Sequence, residues 1–228
     1  MFGIIYNLLF ITLIGFIMKS YKPNSQHILI EGHRGFGCER EDVKEQTSSA
    51  FKNAAEIRLD SVELDVWLTK DNEVIVTHGD NYLGFQYVFD ENGDKTVICL
   101  PKLTYAEIQK YKCAKTNEHF LKLSEVLQIL KPSKTDLNCE LKHSDYAILP
   151  RIIDIIQDEK FPFDRVMFSS FHHKFRRKIL EEEKKRGMER TFRFAYLTHT
   201  LEGMHGHPDL EVEKDFIWKG HDFVHADY

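Results

Sequence analysis

Ser61-Val62-Glu63-Leu64-Asp65-Val66 is a strictly alternating stretch of apolar and polar side chains, and the fold can be worked out from it. Successive side chains of a β-strand point to opposite faces, so Glu63 and Asp65 share one face and the apolar residues share the other. If the apolar face packs on helices outside a barrel, the two carboxylates point inward. Close, buried carboxylates repel each other, so one must bind a proton or both must hold a cation. A surface strand with one hydrated face is the alternative.

A second stretch, Asp136-Leu137-Asn138-Cys139-Glu140-Leu141-Lys142, repeats this pattern. Asn138, Glu140 and Lys142 share one face, so Glu140 is a candidate third oxygen ligand beside the first two carboxylates. Three carboxylates with no histidine or thiolate among them favour a hard ion, either Mg²⁺ or Ca²⁺. Lys142 would then lie beside the ion and bind a phosphate.

Two histidines lie where predicted strands end. His33 follows the apolar residues 28–30, and His78 follows the apolar residues 74–76. In an α/β barrel the functional groups collect at the C-terminal ends of the strands. A pair of imidazoles, which titrate near neutral pH, can divide the roles of general acid and general base. A structural role for each histidine is the alternative, although Arg34 beside His33 favours a functional one.

Outside these stretches, short β-rich runs alternate with amphipathic helical runs, which is typical of βα units around a parallel sheet. We therefore predict the α/β class and a TIM (β/α)₈ barrel. The pattern accounts for seven strands, whereas a closed barrel needs an eighth strand and its helix. Either one strand escapes the pattern, or the last strand–helix unit is lacking, or a closing element is borrowed. The predicted strands lie near residues 27–31, 61–68, 74–78, 136–141, 165–170, 192–197 and 223–226, and the helices near 47–57, 105–111, 124–130, 147–158 and 172–186.

Length and composition are those of one globular domain. The chain has 228 residues, and its 31 Lys+Arg against 36 Asp+Glu give a formal net charge of −5. This mild acidity argues against a dedicated nucleic-acid binder. It does not exclude a phosphate substrate, because a metal ion can supply local positive charge. The cysteine spacing matches no zinc site, so we predict free thiols at all cysteines. These are Cys38, Cys99, Cys113 and Cys139.

Residues 1–18 form an uncharged, mostly apolar run that ends at Lys19. Its length is at the lower edge of a membrane span. No basic segment precedes it and no small-residue cleavage site follows it, which argues against a cleaved signal peptide. The alternatives are an anchor or uncleaved signal, a cleaved signal, or an extension upstream of a start at Met18. If the run is an anchor, the protein is associated with a membrane. Lys19 and Lys22, which follow the run, then favour the cytosolic side for the catalytic domain of residues 27–228.

Several ordered motifs resemble those of the glycerophosphodiester phosphodiesterase family. That family carries an H-R-G motif, a P-E-N-T motif, an E-x-D-V strand followed by T-x-D, and then an H-D pair. Further along it carries an E-x-K strand and an S-S-F strand end. Counterparts occur here in the same order and at similar spacing, over about residues 27–171. They are Gly32–Gly35, Glu45–Thr47, Glu63–Val66, Leu68–Asp71, Val76–His78, Glu140–Lys142 and Phe168–Phe171.

The resemblance implies a TIM barrel that hydrolyses glycerophosphodiesters to a glycerol phosphate and an alcohol, in lipid metabolism, with one divalent cation (Mg²⁺ or Ca²⁺). It implies a small-molecule or lysolipid phosphodiester as substrate, and neither nucleic acid nor protein as partner. The alternatives are a lysophospholipase D-like enzyme on membrane lysophospholipids and a catalytically degenerate barrel that only binds phosphodiesters. By position, the resemblance implies that Glu63, Asp65 and Glu140 bind the metal. It implies acid/base catalysis by His33 and His78, and phosphate binding by Arg34 and Lys142. Glu45 would be a further metal ligand or would contact the ligands from behind.

Three departures from the family pattern motivate the degenerate alternative. The Asn of P-E-N-T is the longer amide Gln46 here. The H-D pair is His78-Gly79, with Asp80 one place later, so a carboxylate that orients the histidine would be displaced. The family's last strand, with its W-T-V-N-like sequence, has no counterpart before Tyr228.

Overall fold

The computed structural model describes residues 29–36, 43–142, 145–189, 191–198 and 222–226. Two sheets and five α-helices are built from them. The strands are β1 (Glu31–Gly32), β2 (Ser61–Leu68), β3 (Val74–Val76), β4 (Phe85–Phe89), β5 (Lys95–Cys99), β6 (Lys112–Cys113), β7 (Leu121–Lys122), β8 (Asp136–Leu141), β9 (Val166–Ser170), β10 (Arg193–Thr198) and β11 (Asp222–Ala226). The helices are α1 (Ser48–Glu56), α2 (Tyr105–Ile108), α3 (Leu123–Leu130), α4 (Ile148–Asp158) and α5 (Phe175–Lys185).

The larger sheet is an arc of parallel strands. Its order is β11-β10-β9-β8-β2-β3-β7, and β1 pairs with the start of β2. β1, β2, β8, β9, β10 and β11 run parallel to one another, as in the predicted barrel. The connection from β8 to β9 contains α4, and the connection from β9 to β10 contains α5. The described residues thus supply the parallel strands of a partial (β/α) barrel.

One strand that the alternation pattern placed in the barrel runs the other way. β3 is antiparallel to β2, with Val66 opposite Val76. Only residues 69–73 connect the two strands, and the amide of Thr69 donates to the carbonyl of Glu73 at 2.9 Å. A parallel crossover needs about a dozen residues or more, so this connection closes a hairpin instead. The described residues therefore contain six parallel strands where the sequence pattern predicted seven.

The hydrophobic core lies between this arc and the helices outside it. Val62, Leu64 and Val66 are fully buried on the helix-facing side of β2, as the alternation predicted. They pack with apolar side chains of α1, α3, α4 and α5, such as Phe51 and Ile152. Burial of these apolar side chains drives the arc and the helices together. The opposite side chains of β2 and β8 are left to line the interior of the barrel.

Residues 79–120, here called the insertion, form a small sheet of their own between β3 and β7. Its order is β5-β4-β6, and it is antiparallel throughout. It packs with α2 around the fully buried Trp67 of β2. A turn at Asn92-Gly93 joins β4 to β5, and the amide of Gly93 donates to the carbonyl of Asp90.

The remaining sequence predictions divide between described and undescribed residues. Residues 1–18 and Cys38 lie outside the described ranges. The cysteines that are described, Cys99, Cys113 and Cys139, are free thiols as predicted. Among the helices of the described ranges, none has both the length and the apolar character needed to cross a bilayer.

Candidate active site

Three inward-facing carboxylates form the centre of the site. The parallel register of β2 and β8 places Asp65 opposite Glu140 and Glu63 opposite Asn138. Ligand oxygens of Glu63, Asp65 and Glu140 all lie within 4.8 Å of one another, and all three residues are buried. The structure therefore brings together the three predicted metal ligands.

Burial and mutual repulsion oppose the charged forms of these carboxyl groups. Burial, reinforced by the charges of Asp65 and Glu140, raises the pKa of Glu63 well above its usual range. Burial and the charge of Asp65 also raise the pKa of Glu140, to about 8, although Lys142 opposes the rise. Among the described residues, Oε1 of Glu63 is a buried oxygen without a hydrogen-bond partner. An orphaned carboxylate oxygen among all-oxygen donors fits a hard divalent cation.

Lys142 supplies the nearest positive charge from within the chain. Its Nζ lies 2.7 Å from Oε1 of Glu140 and 3.0 Å from Oδ1 of Asp65. Burial lowers the pKa of this amine, but the two carboxylates outweigh burial and raise it overall. Lys142 is therefore held charged at the edge of the cluster, where a phosphate oxygen could also reach it.

A 3₁₀ turn over His33–Gly35, directly after β1, carries the H-R-G motif. The amide of Arg34 donates to Oε2 of Glu63 at 2.8 Å, and its Nη1 donates to Oε2 of Glu45 at 2.9 Å. Gly35 has a φ of +77°, and a Cβ there would lie 2.9 Å from the ring of Phe51. Only glycine fits this turn. The motif therefore places both the backbone and the guanidinium of Arg34 beside the carboxylates.

Gln46, a departure from the family pattern, contacts the cluster directly. Its Nε2 donates to Oδ2 of Asp65 at 2.5 Å, and its backbone amide donates to the carbonyl of Arg34 at 3.0 Å. The next residue, Thr47, caps α1 by accepting a hydrogen bond from the amide of Ala50. The cap fixes the start of the helix, and the longer amide side chain spans the distance to Asp65. The substitution thus keeps an amide donor on Asp65, one of the three predicted ligand carboxylates.

The two predicted acid/base histidines have different environments. Nε2 of His33 lies 3.8 Å from Oε2 of Glu63, and its side chain is 63% exposed. His78 is half-buried, and its Nδ1 lies 2.7 Å from the carbonyl oxygen of Gly79. A carbonyl only accepts, so Nδ1 carries the hydrogen and Nε2 is the basic nitrogen of the neutral ring. Burial lowers the pKa of His78; Lys142 and Arg34 lower it further, while Asp65 raises it.

Asp80 does not contact His78 through any described hydrogen bond; it organises the insertion. Its Oδ2 accepts hydrogen bonds from Nε2 of Gln86 at 2.9 Å and from the amide of Tyr87 at 2.6 Å. Gly79, which separates Asp80 from His78, has a φ of +76°, and a Cβ there would lie 3.2 Å from the Trp67 ring. The close indole and the left-handed backbone account for a glycine at this position.

Lys115 is a site residue that the sequence did not reveal. This residue of the insertion has its Nζ 3.6 Å from Oε1 of Glu45 and 3.8 Å from Oδ1 of Asp80. Its side chain is about half exposed, so it lies at the mouth of the site. No motif surrounds it, and only the pairing of β6 with β4 carries it there. With Arg34 and Lys142 it is the third basic side chain around the carboxylates.

The sequence comparisons point to one family. A sequence model of the Glycerophosphoryl diester phosphodiesterase family matches residues 33–202, a range that contains every predicted site residue. A glycerophosphodiester phosphodiesterase from Caldanaerobacter subterraneus subsp. tengcongensis is 32% identical over 158 residues, covering 64% of this chain and 58% of the relative. A lysophospholipase D from Rattus norvegicus is 29% identical over 146 residues, covering 62% of this chain and 44% of the relative. The chain thus spans 44–58% of the length of these two relatives.

Solved structures show the same fold. A phosphodiesterase from Oleispira antarctica, solved in complex with the product sn-glycerol-3-phosphate, superposes with a TM-score of 0.59 at 18% identity. The match covers 82% of this chain and 71% of that chain. The α/β TIM-barrel fold predicted from the sequence is therefore confirmed, with the six parallel strands as the described part of it.

Proposed function

Because the chain belongs to the glycerophosphoryl diester phosphodiesterase family, we propose that it hydrolyses glycerophosphodiesters to a glycerol phosphate and an alcohol. The observation that carries this proposal is the cluster of Glu63, Asp65 and Glu140, buried together within 4.8 Å beside two basic side chains. Carboxylates that bind a cation, basic groups that bind a phosphate and imidazoles that exchange protons are together the groups that phosphodiester hydrolysis requires.

We propose that Glu63, Asp65 and Glu140 hold the divalent cation. All three donors are carboxylate oxygens, which suits Mg²⁺ or Ca²⁺ and disfavours softer metals. When bound, the cation would act as a Lewis acid that offsets the charge developing on the phosphate oxygens. Gln46 and the amide of Arg34 orient Asp65 and Glu63 from behind, through their hydrogen bonds.

Arg34 and Lys142 are proposed to bind the phosphate. The guanidinium of Arg34 is oriented by Glu45 at 2.9 Å and offers a planar set of donors that matches phosphate oxygens. Lys142 offers a point charge from the other side of the cluster, where the two carboxylates hold it. Between them the scissile phosphorus would be fixed next to the histidines.

We assign the base to His78 and the acid to His33. The lowered pKa of His78 favours its neutral ring, whose Nε2 can take the proton of the nucleophile, a water molecule or a neighbouring glycerol hydroxyl. His33 is exposed beside Glu63, which can pair with its protonated ring at 3.8 Å. The protonated His33 would give its proton to the leaving alcohol as the P–O bond breaks. His33 is then neutral and His78 protonated, and exchange with solvent resets both.

The test is phosphodiester hydrolysis by the purified full chain, with glycerophosphocholine as substrate and with Mg²⁺, Ca²⁺ or a chelator. We expect release of glycerol phosphate that the chelator abolishes. Glu63→Gln should lose this activity without loss of circular dichroism, because it removes one ligand charge. Glu91→Gln, on the exposed hairpin turn, is the matched control and should stay active. Turnover that survives both the chelator and Glu63→Gln would contradict the proposed site.

A second candidate function is lysophospholipase D activity on membrane lysophospholipids. It is favoured by the similarity to the rat lysophospholipase D and by exposed apolar side chains on the insertion, such as Leu83 and Tyr87. Hydrolysis of lysophosphatidylcholine but not of glycerophosphocholine would select it. Binding of glycerophosphocholine by a folded protein without turnover would select the degenerate barrel instead.

We further propose membrane association with the catalytic domain on the cytosolic side. The proposal rests on the uncharged run of residues 1–18 and on Lys19 and Lys22 behind it. Recovery of the full chain in the membrane fraction of cells, with residues 27–228 protected from external protease, would support it. Recovery in the soluble fraction or in the medium would contradict it.

A further inference from the structure

The insertion presents an exposed apolar surface on one side of its β4–β5 hairpin. Val88 and Ile98 face inward and are buried in the cluster around Trp67. The alternate residues Phe85, Tyr87 and Val97 face outward, with exposed fractions of 37%, 49% and 46%. Tyr87 is the register partner of Val97, so these side chains adjoin across the two strands. We call this side of the hairpin, together with Leu83 of the preceding loop, the outer face.

The loop before β4 is built to hold an apolar side chain in solvent. Leu83 is 69% exposed. Oδ1 of Asn81 accepts hydrogen bonds from the amides of Leu83 and Phe85, at 2.9 and 3.1 Å. The carbonyl of Gly84 accepts a hydrogen bond from the amide of Leu100 at 2.8 Å. A fixed loop loses little conformational entropy when it binds, so the exposed leucine is preorganised for contact with an apolar phase.

The outer face is continuous with the mouth of the site. Asp80 accepts a hydrogen bond from the amide of Tyr87 at 2.6 Å and lies 3.8 Å from Nζ of Lys115. Lys115 in turn lies 3.6 Å from Glu45, which binds Arg34. A surface that contacts the outer face would therefore lie next to the phosphate-binding side chains.

The charges around the outer face have both signs. Nζ of Lys95 lies 4.9 Å from the ring centroid of Tyr87, over the middle of the hairpin. Glu91 and Asp94 are exposed at the hairpin turn. A layer of zwitterionic headgroups, with phosphates for the lysine and ammonium groups for the carboxylates, complements this arrangement. An anionic layer would repel the turn.

We propose that the outer face docks on a zwitterionic lipid surface and thereby brings lipid-borne phosphodiesters to the site. Tyrosine with its polar hydroxyl, together with phenylalanine, leucine and a neighbouring lysine, is the composition that binds at a lipid–water interface. The benefit to turnover rests on the proposed function. Docking itself requires no turnover, so it can be tested separately.

The test is hydrogen–deuterium exchange of the full chain with and without vesicles of phosphatidylcholine. We expect the amides of residues 83–97 to exchange several-fold more slowly with vesicles, and those around Ile57 to be unchanged. Leu83→Ser combined with Phe85→Ser should abolish this slowing at residues 83–97, whether or not residues 1–18 also bind the vesicle, because two exposed apolar side chains lose their transfer free energy. Ile57→Ser, also at an exposed apolar residue (49%), is the matched control at the far end of α1.

Vesicle binding without slower exchange in residues 83–97 would show that another segment makes the contact, and would overturn the proposal. The proposal would also be overturned if phosphatidylglycerol vesicles slowed exchange in residues 83–97 more than phosphatidylcholine vesicles did, or if neither slowed it. Hydrolysis of soluble glycerophosphocholine by the unchanged protein is measured in parallel. Slower exchange in residues 83–97 without hydrolysis would overturn the proposed function and support docking. Hydrolysis without slower exchange in these residues would overturn docking and support the proposed function.

Discussion

Asp65 and Glu140 are register partners on neighbouring parallel strands, and the amine of Lys142 lies 3.0 Å from the first and 2.7 Å from the second. One buried lysine thus faces two buried carboxylates, with a third, Glu63, close by. Lys142 and Arg34, whose Nε lies 3.8 Å from Oδ2 of Asp65, supply two positive charges against three negative ones, so the cluster favours either a proton or a further cation. The protonation of these groups and their binding of metal are therefore linked.

The first prediction concerns pH. Burial raises the pKa of Glu140 to about 8, so the metal-free carboxyl is mostly protonated at pH 7. A cation must displace this proton, and we expect Mg²⁺ or Ca²⁺ affinity to rise with pH up to about pH 8. Calorimetric titration in two buffers of different ionisation enthalpy would count the released protons. An affinity that is flat from about pH 6 to 8 would contradict the raised pKa.

The second prediction concerns Gln46. Replacing it with Met keeps the length of the side chain but removes the donor to Oδ2 of Asp65. We expect metal affinity to fall by about 10–100-fold, as happens when the hydrogen bonds behind metal ligands are removed. Gln128→Met, on the exposed side of α3, is the control for the same chemical change. Equal metal affinity in both variants would show that Asp65 needs no orienting amide.

The third prediction concerns the departure at Gly79. Gly79→Asp would restore the H-D pair, but the residue has a φ of +76° and its new Cβ would lie 3.2 Å from the Trp67 ring. We expect a loss of about 1–3 kcal/mol of unfolding free energy and no gain in turnover. Denaturant unfolding measures the first quantity. A stable variant with higher activity would show that the glycine impairs the site.

The fourth prediction concerns Lys115. Lys115→Met removes the basic side chain that lies 3.6 Å from Glu45 at the mouth of the site. We expect KM for glycerophosphocholine to rise several-fold with a smaller change in kcat, because the lysine contributes attraction for the anionic phosphate group of the substrate and no proton transfer. Lys112→Met, another exposed lysine of the same small sheet, is the control. A fall in kcat alone would instead indicate that Lys115 acts in the chemical step.

The clustering of Glu63, Asp65 and Glu140 could be predicted from the sequence because their positions follow from strand geometry. A period of two residues places Glu63 and Asp65 on one face wherever the strand lies, and a buried apolar face then determines which side is inward. The same reasoning located Glu140 on β8 and Lys142 directly after its end. This prediction does not depend on how the strands are connected.

Strand direction and the insertion were beyond that reasoning. Alternation is identical in a parallel and an antiparallel strand, so the apolar run at Val74–Val76 was assigned to the barrel although its short connection closes a hairpin. The strands of the insertion are short, and each contains exposed residues. Lys115 and Gln46 were missed as site residues because their contacts depend on turns and pairings between distant segments.

The two ends of the insertion are neighbours. Val76, just before it, is the register partner of Leu121, just after it, in the antiparallel pair of β3 and β7. A short turn could close this pair without moving β2 or β8, where the carboxylates lie. The insertion can therefore be exchanged as a unit, so that the proposed docking surface changes while the carboxylate cluster of β2 and β8 stays in place. Grafting another insertion between His78 and Leu121, which keeps His78, is a route to altered specificity.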